Sequence, residues 1–190
     1  MNIYTSKPPM VETKKTFGGY VTAIHMDIRE LTSDELQATY PDGFPTDPET
    51  GEQEAMTAWT ATDYFLNHNA PQPDREKVKQ IVDKHVNAKT DARILSGFQW
   101  NGINVWLSEE NQRNFSEAQR VALMTNGQSL PVTFKLGEDA GGNPVYHEFT
   151  SVEELTGFYL AAVAFIQQCL AEGWQEKDSI DWSLYIVPTT

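Results

Sequence analysis

The dipeptide Asn101-Gly102 constrains this chain more than any other pair of residues. It lies between two short runs of strand formers in LSGFQWNGINVWLS. A two-residue type I′ turn needs positive φ at both central positions, which Asn and Gly tolerate. That turn sets a register in which Trp100 opposes Ile103, Gln99 opposes Asn104 and Phe98 opposes Val105. Directly opposed residues share a face of the sheet. Phe98, Trp100, Ile103 and Val105 therefore form one apolar face, and Gln99 and Asn104 a polar one. A slip by one residue would exchange the faces. Trp106 breaks the alternation and falls on the polar side.

A helix is predicted at once after the hairpin. Ser108 suits its N-cap, and Glu109 and Glu110 suit the positive end of its dipole. Phe115, Ala118, Val121, Ala122 and Met124 follow at roughly helical spacing, and Asn126-Gly127 stops it. A second, looser hairpin pairs Val132, Phe134 and Leu136 with the return strand Val145 to Phe149, across a glycine-rich loop from Gly137 to Pro144. A second helix then opens on the capping box Ser151/Glu154. It is expected to run from Val152 to Glu172, about 30 Å, and to end at Gly173. Its apolar residues, from Leu155 through Phe158, Tyr159, Phe165 and Ile166 to Leu170, cover more than one narrow stripe, which implies burial on several sides or a subunit contact. A membrane span needs about 20 mostly apolar residues. Thr156, Gly157, Gln167 and Gln168 interrupt this run, and acids flank it closely, so the membrane reading is weak.

The expected fold is α+β: tandem β-hairpin–α-helix units (ββα-ββα) in the C-terminal half, with a smaller N-terminal strand and helix segment. Residues 1–17 read as an extended arm, since Lys7-Pro8-Pro9 favours polyproline II. Gly18 to Leu31 reads as a strand, and Thr32 or Ser33 as the cap of a short helix. Tyr40 to Glu54 is rich in turn residues. Glu52 to His68 reads as a helix through Ala55, Met56, Trp59, Tyr64, Phe65 and Leu66. Ala70-Pro71-Gln72-Pro73 marks a boundary, and Asp74 to Thr90 reads as a charged amphipathic helix whose stripe is Val78, Ile81, Val82, His85 and Val86. The tail from Ser183 could add an edge strand. Three segments are therefore expected: 1–70, a linker and helix over 71–92, and the hairpin-helix domain over 93–190.

Fourteen Lys and Arg against 27 Asp and Glu give a net charge of −13. No basic stripe is present to neutralise phosphates, which argues against a nucleic-acid or anionic-membrane partner. One cysteine, Cys169, excludes an internal disulfide. The N-terminal stretch lacks the apolar core of a secretory signal, so synthesis in the cytoplasm is expected, without excluding later release in an assembled particle. His25, His68, His85 and His147 have no second His or Cys at metal-ligand spacing. The acids Asp42, Asp47, Glu49, Glu52 and Glu54 fail the calcium-loop pattern. Gly137, Gly141 and Gly142 lack the Lys-Ser/Thr step of a phosphate loop. No catalytic residue, metal ligand or cofactor is assigned, and the chain is not expected to be an enzyme. Trp106 is the one residue assigned to a partner contact, because tryptophan is enriched where partners dock. Core packing of Trp106 is the competing reading.

The segment Leu95 to Trp182 resembles a small domain of unknown function carried by bacteriophage and prophage tail-region proteins. The likeness rests on GFQWNGINVWLSEENQRNF, on PVTFKL and on VEELTGFYLAAVAFIQQCLAEGW followed by KDSI. It implies a tail-fibre-associated or tail-assembly protein, working as a non-enzymatic protein–protein interaction module toward a tail component or itself, and possible homo-oligomers. It brings no catalytic residues. The alternatives are a tail-borne hydrolase of cell wall or glycan, or a cytoplasmic bacterial adaptor protein.

Overall fold

The computed structural model describes residues 2–44 and 57–185. Helix and strand are mixed, consistent with an α+β fold, and the contacts divide the chain into two units. The first runs from the N-terminus through His85 and takes in the segment from Ile180 on, and the second spans Val86–Ser179.

The first unit is built on a four-stranded antiparallel sheet of β1 (Asn2–Tyr4), β2 (Val11–Thr16), β3 (Gly19–Glu30) and β4 (Trp59–His68), in the order β1-β4-β3-β2. Within the expected extended arm over 1–17, the described residues from Asn2 on hold two extended strands, but these close opposite edges of the sheet and so belong to the fold. The expected helix over Glu52 to His68 is also overturned: Trp59–His68 is β4. Its alternation, with Thr60, Thr62, Tyr64, Leu66 and His68 on one side, is a period of two, and the long ladder to β3 secures it. Residues 52–56 of that stretch lie outside the described residues. The Gly18-to-Leu31 strand is present as β3.

Ile24 and Met26 of β3 pack with Val78 and Val82 of α2 (Arg75–Leu95), and Tyr64, Leu66 and Trp182 lie against them. Residues 5–10 join strands at opposite edges, so they must cross the other face of β4 and β3. Pro8 is buried there, Lys7 Nζ sits 5.3 Å from the centre of the Trp59 ring, and the Met10 carbonyl accepts from the His25 amide at 2.9 Å. The short α1 (Ser33–Thr39) is capped by Thr32. Thr32 Oγ1 accepts from the Glu35 amide and the Glu35 carboxylate accepts from the Thr32 amide. Two Arg29 hydrogen bonds to Glu35, more than the capping bonds, hold that carboxyl down at about 2. The tail forms a single 3-10 turn at Trp182–Leu184 rather than a strand, and the remainder of the proposed tail strand, from 186, lies outside the described residues.

The second unit holds the rest of α2, β5 (Phe98–Trp100), β6 (Ile103–Val105), α3 (Glu109–Met124), β7 (Val132–Glu138), β8 (Pro144–Phe149) and α4 (Val152–Asp178). The β5–β6 register is Phe98 to Val105, Gln99 to Asn104 and Trp100 to Ile103, and Asn101 and Gly102 have φ of 49° and 80°. Phe98 and Val105 are buried, with Trp100 and Ile103 packed against the same core. The β6 and β7 chains meet where the Trp106 amide donates to the Leu136 carbonyl at 2.8 Å. Phe158 of α4 is the hub: its ring centre lies 4.9 Å from Phe115, 4.9 Å from Phe149 and 5.0 Å from Trp100. Such tilted and edge-on aromatic pairs add to what area burial alone contributes.

Two expected boundaries move. α2 continues past Thr90 to Leu95. α4 does not stop at Gly173 but runs to Asp178. Gly173 is buried inside the helix, where a Cβ would come within 2.2 Å of Thr90 Oγ1 on α2. The glycine is there for close helix approach, not for termination.

Candidate functional site

α4 is where sequence and burial part company. Its buried residues, Leu155, Phe158, Ala162, Cys169 and Gly173, follow one stripe. Its exposed residues, including Gly157, Leu160, Ala164, Ala171 and Trp174, follow the opposite one. Leu160 and Trp174 are each 57% exposed. Every position from Leu155 to Ala171 is uncharged. The helix is long and apolar enough to cross a membrane by length and composition, yet only 22% of its most apolar 18-residue stretch is buried. A helix apolar all round is normally enclosed. Here one side holds the core and the other offers Leu160 and Trp174 to solvent. Elsewhere in the same unit, Leu123 and Met124 end α3 exposed, and a groove of about 340 Å³ between α3 and β7 is lined by Ala118, Val121, Val132 and Phe134.

Trp106, the residue singled out from the sequence, lies between core and solvent at 37% exposure. Lys135 Nζ stands 4.9 Å from the centre of its ring, and the Asn111 side-chain amide donates to its carbonyl. The in-and-out alternation continues through it: Val105 and Leu107 on either side are buried and Trp106 is exposed, while its amide bonds to β7.

The first unit holds two acid–histidine clusters that no local spacing announces. On the strapped face of the sheet, Asp63 Oδ1 accepts from His25 Nδ1 at 2.7 Å, and Oδ2 accepts from the Tyr4 hydroxyl at 2.5 Å and from the Asn2 side-chain amide. The carboxylate side chain is 2% exposed and the imidazole 4%. His25 Nε2 is buried with no hydrogen-bond partner among the described residues. Burial, then the bond to Asp63, pushes the Tyr4 phenol up to about 12. Burial also raises Asp63, but the bonds from Tyr4, Asn2 and His25 outweigh it and leave the carboxyl below its ordinary value.

On the α2 face, His85 Nε2 lies 2.8 Å from Asp27 Oδ2 and Nδ1 lies 2.9 Å from the Tyr64 hydroxyl. Asp27 has φ of 52° at the bulge between Met26 and Arg29, a left-handed conformation that aspartate adopts more readily than most residues other than glycine. His68 bonds Thr22 and the Ala70 carbonyl, and His147 bonds Glu154 at 2.8 Å.

The other sequence candidates separate by place. Asp47, Glu49, Glu52 and Glu54 lie outside the described residues, and Asp42 is exposed. The glycine loop of the second hairpin folds around Asp139, whose carboxylate accepts from the amides of Gly141 and Asn143 and is held below its usual range, chiefly by Asn143. Cys169 is buried, and burial pushes its thiol up. Among the described residues no three or more His, Cys, Asp and Glu side chains are grouped to share a metal ion.

No curated protein and no solved structure gives a significant match to the chain. One family does: the match spans residues 77–187, beginning inside α2 and taking in both hairpins, α3 and α4. Covering more than half of the sequence, it shows that the chain belongs to the family described as a domain of unknown function, DUF4376.

Proposed function

We propose that this chain is a non-enzymatic protein–protein interaction module, acting in phage or prophage tails as a structural or assembly component. The observation that carries the docking part is the outward side of α4, uncharged from Leu155 to Ala171, with Leu160 and Trp174 both more than half exposed. A tryptophan on a rigid helix is the kind of anchor that dominates binding energy when a partner encloses it, and Leu160 adds apolar area on the same side of the helix. Trp106, propped by Lys135, is a second contact residue in this reading. The tail assignment rests on the resemblance of Leu95 to Trp182 alone. The protein would be made in the cytoplasm and carried on the virion. The succession β5-β6-α3-β7-β8-α4 is read as one hairpin-helix unit used twice, supported by serine N-caps at Ser108 and Ser151 after the two hairpins.

The test presents the proteins encoded beside this one, singly, to the wild-type chain and to a Leu160→Glu/Trp174→Glu double variant in a biosensor assay. One neighbour should bind, and the double variant should weaken it more than tenfold with an unchanged melting temperature. If no neighbour binds, or if the double variant binds as well as the wild type, the reading fails. The hydrolase alternative rests on the Asp63–His25 pair, in which Asp63 orients the ring as an acid orients a general base, and the burial of His25 Nε2 counts against it, because a base must reach the proton that it takes. Activity on cell-wall preparations that disappears in Asp63→Asn would favour it.

A further inference from the structure

The two edges of the four-stranded sheet are unlike. β2 closes one edge and carries Glu12, Lys14 and Lys15, charges of the kind that keep an edge from pairing with another chain. β1 stands at the other edge but covers β4 only at Trp59, Thr60 and Ala61. From Thr62 to His68, β4 is paired to β3 on one side, and among the described residues no strand lies on its other side. The main chain there meets solvent: the Asp63 side chain is 2% exposed, while the residue as a whole is half-buried, so its accessible part is backbone. The sequence TDYFLNH contains no Lys, Arg, Pro or Gly to blunt the edge. Phe65, at its centre, is 63% exposed.

We propose that this open edge is a self-pairing surface, on which β4 of a second copy lies antiparallel about a twofold axis at Phe65. The pairing chemistry selects a second copy. With Phe65 opposite its counterpart, Tyr64 opposes the partner's Leu66 and Asp63 opposes the partner's Asn67. Opposed residues share a face. One face of the joined sheet therefore gains a Phe–Phe pair flanked by two Asp–Asn pairs, and the other gains two Tyr–Leu pairs. No like charges meet, in a chain whose net charge is −13. An axis at Asp63 would instead set two carboxylates side by side, which disfavours that register against the one at Phe65. A twofold contact of this kind closes on itself and stops at the dimer. The ladder is short, which places the contact among the small, weak interfaces, where dissociation constants of roughly 10 µM to 1 mM correspond to only about 4–7 kcal/mol. The surface lies outside the family match and is separate from the α4 row.

Sedimentation equilibrium on the full chain, from about 10 µM to about 1 mM, brackets that range. The wild type should pass from monomer to dimer. Phe65→Lys, which sets two ammonium groups at the axis, should stay monomeric with an unchanged melting temperature. Phe65→Cys should form an intermolecular disulfide under mild oxidation much faster than Asn67→Cys, because only position 65 meets itself; the buried Cys169 does not compete. A wild type that stays monomeric throughout overturns the proposal, as does equal cross-linking from positions 65 and 67. A dimer that survives Phe65→Lys but is lost in Leu160→Glu/Trp174→Glu overturns it too, and moves self-association to α4.

Discussion

At the scale of single residues, two positions carry more than their surroundings suggest. Gly102 has φ of 80°, and a Cβ placed on it would meet nothing within 4 Å. The cost of Gly102→Val is therefore conformational rather than steric crowding, and it should lower stability by about 1–3 kcal/mol in urea unfolding. An unchanged midpoint would show that the turn tolerates a β-branched residue. Tyr4 ties the three-residue β1 to Asp63. Tyr4→Phe keeps the ring and removes one hydrogen bond to a buried carboxylate, which should cost about 1.5–3 kcal/mol and raise the Asp63 pKa, read by NMR titration of its carboxyl. The turn is legible in the sequence because both its residues are adjacent. The Tyr4–Asp63–His25 cluster is not, because its members are far apart in the chain and meet only when β1, β3 and β4 pair.

At the scale of elements, Gly173 reverses an ordinary rule. Glycine to alanine inside a helix usually stabilises by about 1 kcal/mol. Here the new methyl would press on Thr90 Oγ1 at 2.2 Å, so Gly173→Ala should destabilise by about 1–3 kcal/mol. Thr90→Ala removes that atom and leaves the nearest remaining contact at 3.3 Å, so the double variant should recover much of the loss. A double-mutant cycle by thermal unfolding checks this, and strict additivity would show that the two residues do not press on each other. Salt bridges from Lys89 and Arg93 to Glu176, and from Arg93 to Glu172, line the same approach of α2 to α4. Helix α3 is readable from its Ser108 cap and its Asn126-Gly127 stop, since these are local signals. β4 is not readable in that way. Its apolar residues fit a helix as well as a strand over a short window, and only pairing with β3 decides between them.

At the scale of the whole molecule, the two units differ in how they should respond to pH. Tyr4 and Asp63 both belong to the first unit. Asp63 has a folded pKa below its ordinary value, so its stabilising contribution is present above about pH 4 and is lost as the pH falls through the folded value. Tyr4 titrates at about 12 in the folded chain against about 10 when unfolded, so its contribution is full below pH 10 and is lost as the pH rises toward 12. Hydrogen exchange on β4 amides should accelerate at both extremes before that on α4. Equal acceleration in both units would show that these two groups do not set the pH limits.

Local chemistry in the sequence was enough to specify the Asn101-Gly102 hairpin and its faces, the caps of α3 and α4, and the α+β character, because each depends on residues a few positions apart. Tertiary structure alone decided that residues 2–16 contribute two sheet strands, that Trp59–His68 is a strand, and that Gly173 is a helix contact. It alone also decided which half of α4 faces solvent. Those outcomes depend on partners distant along the chain, and backbone pairing and close packing with them outweigh what neighbouring residues prefer.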